Sequence, residues 1–285
     1  MRLFCFGFGY AAESLARRLS ARTSALAGTR TSLAEAGDAP LGAQLAEFRG
    51  DAAPAEVREL LAGATHVLVS IPPDLEGDAV LRHYRDDIAN LTELAWIGYL
   101  STVGVYGDWQ GQWVDETSPP RPISERSLRR LHAERAWAQF GRESGRRVEI
   151  FRLAGIYGPG RSVIDSLKAG TAKRIVKPGQ VFNRIHVDDI ARVLMAAIDK
   201  DAGHAIYNVS DDEPAPPQDV LAYAAELLSL PVPPEVPFET AALTGMAATF
   251  WAENKRVSNA RIKHDLGVEL IYPTYREGLR ALAAE

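Results

Sequence analysis

The chain has a single cysteine among its 285 residues, Cys5. One thiol excludes an intramolecular disulfide framework and any metal site built from clustered cysteines. Its place in an apolar run points to a buried structural thiol, not a nucleophile. No stretch of about 18 apolar residues occurs, so no membrane span is expected. Basic charge is also scarce: 32 Lys and Arg against 37 Asp and Glu leave a net charge of −5. That balance argues against a nucleic-acid binder. Histidine never recurs with a second histidine or cysteine at ligand spacing, so no metal is expected. There is no internal repeat and no low-complexity tract. The opening MRLFCFGFGYAA has the arginine and apolar residues of a leader. Glycines interrupt it and Glu13, Arg17 and Arg18 follow at once, which argues for a cytoplasmic location instead.

What is present is an ordinary globular composition, 46% hydrophobic and 24% charged. The length suits one large domain or two modest ones with a substantial core. The first half alternates short apolar runs with longer amphipathic ones. Strands are expected at Leu3–Phe6, Ser24–Ala27, Ala46–Phe48, His66–Ile71, Trp96–Leu100, Val148–Leu153 and Ala205–Val209. Helices are expected at Ala11–Ser20, Pro54–Leu61, Val80–Leu94, Ser124–Glu143 and Val187–Asp199. That alternation predicts an α/β fold with a parallel sheet covered on both faces. Beyond Ser210 the pattern turns helical with no clear further strand, and PVPPEVP reads as a stiff connector in a small second domain.

Gly7-Phe8-Gly9-Tyr10-Ala11-Ala12 forms GxGxxA between the first strand and the first helix. Gly7 allows the tight turn, Gly9 lets a pyrophosphate approach the backbone, and Ala12 keeps helix and strand close. The helix start then offers amides and partial positive charge to phosphates. The alternatives are a purely structural turn and a methyltransferase fold. Sites for NAD place a carboxylate at the end of the second strand to hold the ribose. Here the strand ends Ala27-Gly28-Thr29-Arg30. A guanidinium suits a 2′-phosphate, so NADP is expected in preference to NAD. A solvated loop arginine is the plainer alternative.

This turn and four further stretches resemble the extended short-chain dehydrogenase/reductases of the NAD-dependent epimerase/dehydratase family. The stretches are LSTVGVYG (100–107), RLAGIYGPG (152–160), RIHVDDIA (184–191) and YNVSDDE (207–213), with NKRVSN (254–259) and YPTYREG (272–278) near the end. The resemblance implies a doubly wound, Rossmann-type domain with a small, mostly helical C-terminal substrate domain. The expected division is 1–160 with 181–210 for dinucleotide binding, and 161–180 with 211–285 for substrate. It further implies that Asp51 lies near the adenine and that Ser70, Ile71 and Pro72 line the dinucleotide.

The resemblance also exposes a departure. Active members carry a Ser or Thr, a Tyr and a Lys, and the first matches Thr102. The tyrosine and lysine positions, just before Leu131-His-Ala-Glu134, hold Arg126 and Arg130. A guanidinium stays charged and has no acceptor lone pair, so Arg126 cannot be a general base. Arg130 retains the ability to donate to the nicotinamide ribose. Tyr106 is the leading replacement proton donor, followed by Asp108, Tyr157 and His186. Arg126, Trp109 and His186 are the candidate substrate contacts, with Arg126, Arg129 and Arg130 suited to an anionic group. Each has a plainer structural alternative: turn packing, helix support or a solvated face. The expected activity is therefore an atypical NADP-dependent oxidoreductase or epimerase-like enzyme with a small-molecule substrate. The alternative is a non-catalytic NADP(H) sensor. Neither a membrane nor a nucleic acid is an expected partner, and the oligomeric state stays open, a homodimer included.

Overall fold

The computed structural model describes residues 1–33, 39–200, 203, 205–243 and 245–284. Strands β1 (Arg2–Phe6), β2 (Ala25–Arg30), β3 (Gln44–Glu47), β4 (His66–Val69) and β5 (Trp96–Thr102) alternate with α1 (Tyr10–Leu19), α2 (Ala55–Leu61) and α3 (Ala79–Ala89). The two-residue β6 (Trp113–Val114) and the long α4 (Glu125–Ser144) follow. Then come β7 (Val148–Leu153), β8 (Gly155–Tyr157), α5 (Val163–Lys168), β9 (Arg174–Val176), β10 (Arg184–His186), α6 (Val187–Asp199) and β11 (Ala205–Val209). The remainder holds α7 (Pro217–Leu227), β12 (Glu235–Pro237), α8 (Gly245–Trp251), β13 (Arg256–Val257), α9 (Ala260–Leu266) and α10 (Tyr275–Ala284). No helix among the described residues is long and apolar enough to cross a membrane.

The chain forms two compact units from interleaved segments. The first comprises Met1–Thr102, Glu125–Arg152 and Ile190–Tyr207. Its sheet runs β11-β7-β5-β4-β1-β2-β3. The β2–β3, β1–β2, β1–β4 and β4–β5 pairings are all parallel. Order reverses on either side of β1, so the β1 and β4 ends form the switch point at which such sheets bind ligands. The chain thus has a doubly wound α/β fold: the alternation predicts its parallel sheet, and the family resemblance implies its winding.

The physical basis is visible strand by strand. Residues Leu3–Phe6 are all buried, as a strand covered on both faces requires. Phe6, Phe48 and Tyr84 pack with ring centroids 5.3–6.0 Å apart and join β1 and α3 in one core. Along α4 the buried positions fall at Ser127, Arg130, Leu131, Ala133, Glu134, Trp137, Phe140 and Gly141, a helical spacing. Two of those buried positions are charged, which matters below.

The second unit comprises Val103–Ser124, Leu153–Asp189 and Asn208–Glu285. Three two-stranded parallel pairs, β8–β10, β9–β12 and β6–β13, accompany its helices. The expectation of no strand beyond residue 210 is therefore corrected twice. Glu235–Pro237, inside PVPPEVP, pairs with Arg174–Val176 as an edge, where proline's missing donor costs nothing. Arg256–Val257 pairs with Trp113–Val114. Its core gathers Tyr157, Ile164, Leu167, Val220, Leu221 and Tyr275.

Candidate active site

The glycine turn has a geometry that fits a phosphate. Gly7 has φ +88°, and a Cβ there would stand 2.7 Å from Cγ2 of Ile71. Its backbone thus lies against the end of β4, a position only glycine fills without strain. Gly9 is the N-cap of α1 in extended conformation, and no side chain caps the helix. A Cβ at Gly9 would meet no atom within 4 Å. That open space in front of uncapped first-turn amides fits the pyrophosphate of a dinucleotide. Phe8, Ala11 and Ala12 are buried, fixing the turn, whereas Gly9 is exposed and Tyr10 half-buried.

Thr29 requires a correction. Its side chain is 1% exposed, and its Oγ1 accepts from the Gly7 amide at 3.0 Å. The hydroxyl shapes the turn and is not presented to a coenzyme. Arg30 is different. Its Nε donates to the Phe8 carbonyl at 3.0 Å and its Nη2 to Glu13 at 2.7 Å. The guanidinium is thereby held beside the turn. Asp51 is exposed, and the helix after it is capped at Pro54 without a side-chain bond, so Asp51 does not cap α2. Ser70 and Ile71 are half-buried and Pro72 exposed, directly after β4.

At the β5 end, Arg130 is 9% exposed. Its Nη1 donates to the Leu100 carbonyl at 2.7 Å, with the Tyr99 hydroxyl at 3.2 Å and the Ile71 carbonyl at 3.4 Å. One side of a single guanidinium therefore ties together the ends of β4 and β5. Its Nε and Nη2 make no hydrogen bond among the described residues. Tyr99 is fully buried, and that burial raises its pKa against the opposing pull of Arg130. Asp78, buried at the start of α3, is likewise raised by burial while the Arg130 charge lowers it. One turn earlier, Arg126 is exposed, yet desolvation and the Arg130 charge lower its pKa. Thr102 is half-buried at the last position of β5.

Behind these groups, Glu134 accepts from Arg152 Nη2 at 2.7 Å and from Ser101 Oγ at 2.5 Å. The sequence reading missed Tyr99, Asp78 and this clamp. The signal for Glu134 was its spacing of four from Arg130, which puts both on one face of α4.

Two other expectations need correction. Tyr106 is 0% exposed, and its phenol donates to Asn208 Oδ1 at 2.8 Å. A phenol committed to a buried amide is not placed to protonate a substrate. His186 is also buried, tilted against Tyr272 at 4.2 Å and edge-to-face with Tyr157 at 5.2 Å, and its Nδ1 accepts from the Asp188 amide. Its role is packing and support at the start of α6, not substrate contact. Asp108 is exposed and accepts from the Asn254 amide, and Tyr157 is a buried packing residue. Trp109 is half-buried, donates to the Tyr106 carbonyl and carries Arg121 at 4.5 Å over its ring.

Residues 84–210 match the NAD dependent epimerase/dehydratase family. Over that stretch, a little under half of its length, the chain resembles the family. A functionally unknown conserved protein from Silicibacter pomeroyi DSS shares 48% identity and a TM-score of 0.91, covering 99% of this chain and 98% of that one. The protein YeeZ of Escherichia coli (strain K12) is 32% identical over 177 residues, which are 61% of this chain. The match spans 58% of that relative's length. The human epimerase family protein SDR39U1 (isoform2) with NADPH has a TM-score of 0.74 at 17% identity, covering 100% of this chain and 99% of that one. At that identity the likeness is one of fold. The family is NAD(P)-dependent, and the open cradle at Gly9 fits such a coenzyme.

Proposed function

We propose that this protein is an NADP-dependent oxidoreductase or epimerase-like enzyme acting on a hydroxyl or carbonyl carbon of a small molecule. Its location is the cytoplasm. The observation that carries the reading is the Gly9 cradle with Arg30 fixed beside it. The 2′-phosphate is recognised by Arg30, whose planar fork matches an oxyanion. No carboxylate stands at the end of β2 to favour the unphosphorylated ribose. Gly7, Phe8, Gly9, Tyr10, Ala11 and Ala12 form the pyrophosphate turn, and Asp51, Ser70, Ile71 and Pro72 border the rest of the dinucleotide.

When bound, the coenzyme supplies the hydride chemistry. Arg130 holds the ribose near the nicotinamide through the donor edge that its strand contacts leave unused. Thr102 orients the substrate oxygen. Arg126 cannot accept a proton, and the buried Tyr106 is withdrawn from that task. The active site is atypical in this sense, and the proton enters from water or from the substrate itself.

The buried Tyr106 phenol also favours a second reading, a protein that binds NADP(H) and reports its level without turnover. One experiment addresses both. Calorimetry with NADP, NADPH, NAD and NADH should show at least about tenfold preference for the phosphorylated pair, reduced to near parity by Arg30→Gln. Equal affinity for NAD and NADP in the unaltered protein defeats the assignment. Reduction of any member of a carbonyl panel decides for the enzyme over the sensor.

A further inference from the structure

The chain leaves β3 and β4 by two segments that are both fastened to α3. Shortly after β3, Gly50 is buried, and a Cβ there would stand 3.2 Å from the Cβ of Ala79. The Gly50 carbonyl accepts from Arg82 Nη2 at 2.8 Å and from His83 Nε2 at 2.9 Å. After β4, Pro72 and Pro73 lead into a turn closed between Asp74 and Gly77. There the Asp74 amide donates to the Gly77 carbonyl at 2.9 Å and the Glu76 amide to Asp74 Oδ1 at 2.8 Å. Each proline fixes its own φ and restricts the residue before it, so this segment is a stiff arm. Arg82 grips the end of the arm. Its Nη1 donates to Asp74 Oδ1 at 3.1 Å and its Nη2 to Oδ2 at 2.6 Å. One guanidinium on α3 thus joins both segments.

Arg82 and Asp74 are exposed. An ion pair in water adds little to global stability, whereas a planar fork sets distance and direction. The segments it joins carry residues already assigned to the coenzyme. Asp51 follows Gly50 directly, and Ser70, Ile71 and Pro72 lead to Asp74.

We propose that Arg82 is a positioning residue for the adenosine half of the coenzyme, holding the Asp51 segment and the Ser70–Pro72 segment at a fixed separation. The inference rests on the preceding reading, in which a dinucleotide lies along these strand ends. Arg82 acts through the two segments, which it orders before the coenzyme arrives. Binding then loses no affinity to ordering them. Without Arg82, His83 still fastens Gly50 to α3, so what is lost is the link to the arm and not the fold of the loop.

The test is calorimetry with NADPH and with 2′,5′-ADP, which carries the adenine, ribose and 2′-phosphate but no nicotinamide. Arg82→Gln should weaken both ligands by the same factor, at least about tenfold. Arg82→Lys should recover part of that loss, because an ammonium reaches one partner but cannot fork. Arg85→Gln serves as control, since Arg85 lies on the same helix but pairs with Glu143, and should change either affinity by less than about twofold. The melting temperature of Arg82→Gln should stay within about 4 °C of the unaltered protein. Asp74→Asn frees the arm from its other side and should weaken both ligands at least about threefold, which decides the matter even where Arg82→Gln folds poorly. Unaltered affinity in Asp74→Asn or in folded Arg82→Gln overturns the proposal. So does an equal loss in Arg85→Gln, a loss for NADPH with 2′,5′-ADP unaffected, or no recovery in Arg82→Lys. If the unaltered protein binds neither ligand, the coenzyme reading falls and takes this one with it; normal binding that ignores Arg82 strikes this one alone.

Discussion

Glu134 and Arg152 face each other across the interior, with Nη2 2.7 Å from Oε2 and Nε 3.1 Å from Oε1. Both side chains are under 5% exposed. The pair ties α4 to β7, and Ser101 on β5 supplies a third bond. Arg130 lies one turn before Glu134 on the same helix, so the clamp fixes the register in which the candidate site is presented.

Removing one member of such a pair leaves a desolvated charge behind. Glu134→Gln should therefore lower unfolding free energy by about 3–5 kcal/mol in urea titrations. The double change Glu134→Leu with Arg152→Met should cost less than the single change, because no charge is stranded. A double variant as unstable as the sum of two singles contradicts this account.

The two glycines of the turn should respond oppositely. Gly9→Ala has ordinary backbone angles and open space for the methyl, so the melting temperature should hold within about 2 °C, since surface changes stay near 0.5 kcal/mol. Coenzyme affinity should fall at least about tenfold as the methyl occupies the cradle. Gly7→Ala meets Ile71 and requires φ +88°, and should destabilise by about 1–3 kcal/mol. Loss of stability at Gly9 with unaltered binding would reverse both assignments.

Tyr106→Phe removes a buried hydrogen bond and leaves the Asn208 oxygen without that donor. The expected cost is about 1–3 kcal/mol in stability. Turnover at permissive temperature, measured on any substrate the panel yields, should fall by less than about threefold. A loss of about a hundredfold or more at equal folding would restore Tyr106 as the acid.

Burial lowers the His66 pKa to about 4, from an ordinary value near 6.5. The unfolded chain takes up this proton first as pH falls, so stability declines from about pH 6.5 and levels off below about pH 4. His66→Gln should flatten the fall in melting temperature between these values relative to the unaltered protein. Parallel curves for both proteins would mean that other groups govern acid unfolding.

Much of the first unit is legible in the sequence because its strands are covered on both faces. LFCF and HVLV are continuous apolar runs, and the glycine turn sits between a strand and a helix as its pattern requires. What escapes is decided by distant partners. The commitment of Tyr106 depends on Asn208, 102 positions away, and the Thr29 hydroxyl turns inward to an amide 22 positions back. Pairs as short as Trp113–Val114 and Arg256–Val257 have too few residues to show alternation. Glu235–Pro237 is masked by the prolines around it, which normally mark a break in pairing. The Arg126–Arg130 pair was readable as a departure from family chemistry, whereas the bonds that occupy one side of Arg130 were not.

The first unit draws its last segment from Ile190–Tyr207, after two excursions of the chain into its companion. During synthesis it cannot close when its first hundred residues leave the ribosome. The central strands must wait for β7 and β11, with their apolar edges uncovered for about 5–20 seconds at about 5–20 residues per second. Nascent-chain chaperones would meet this protein as a long, half-finished sheet, and its yield in cells should track their supply more closely than its melting point.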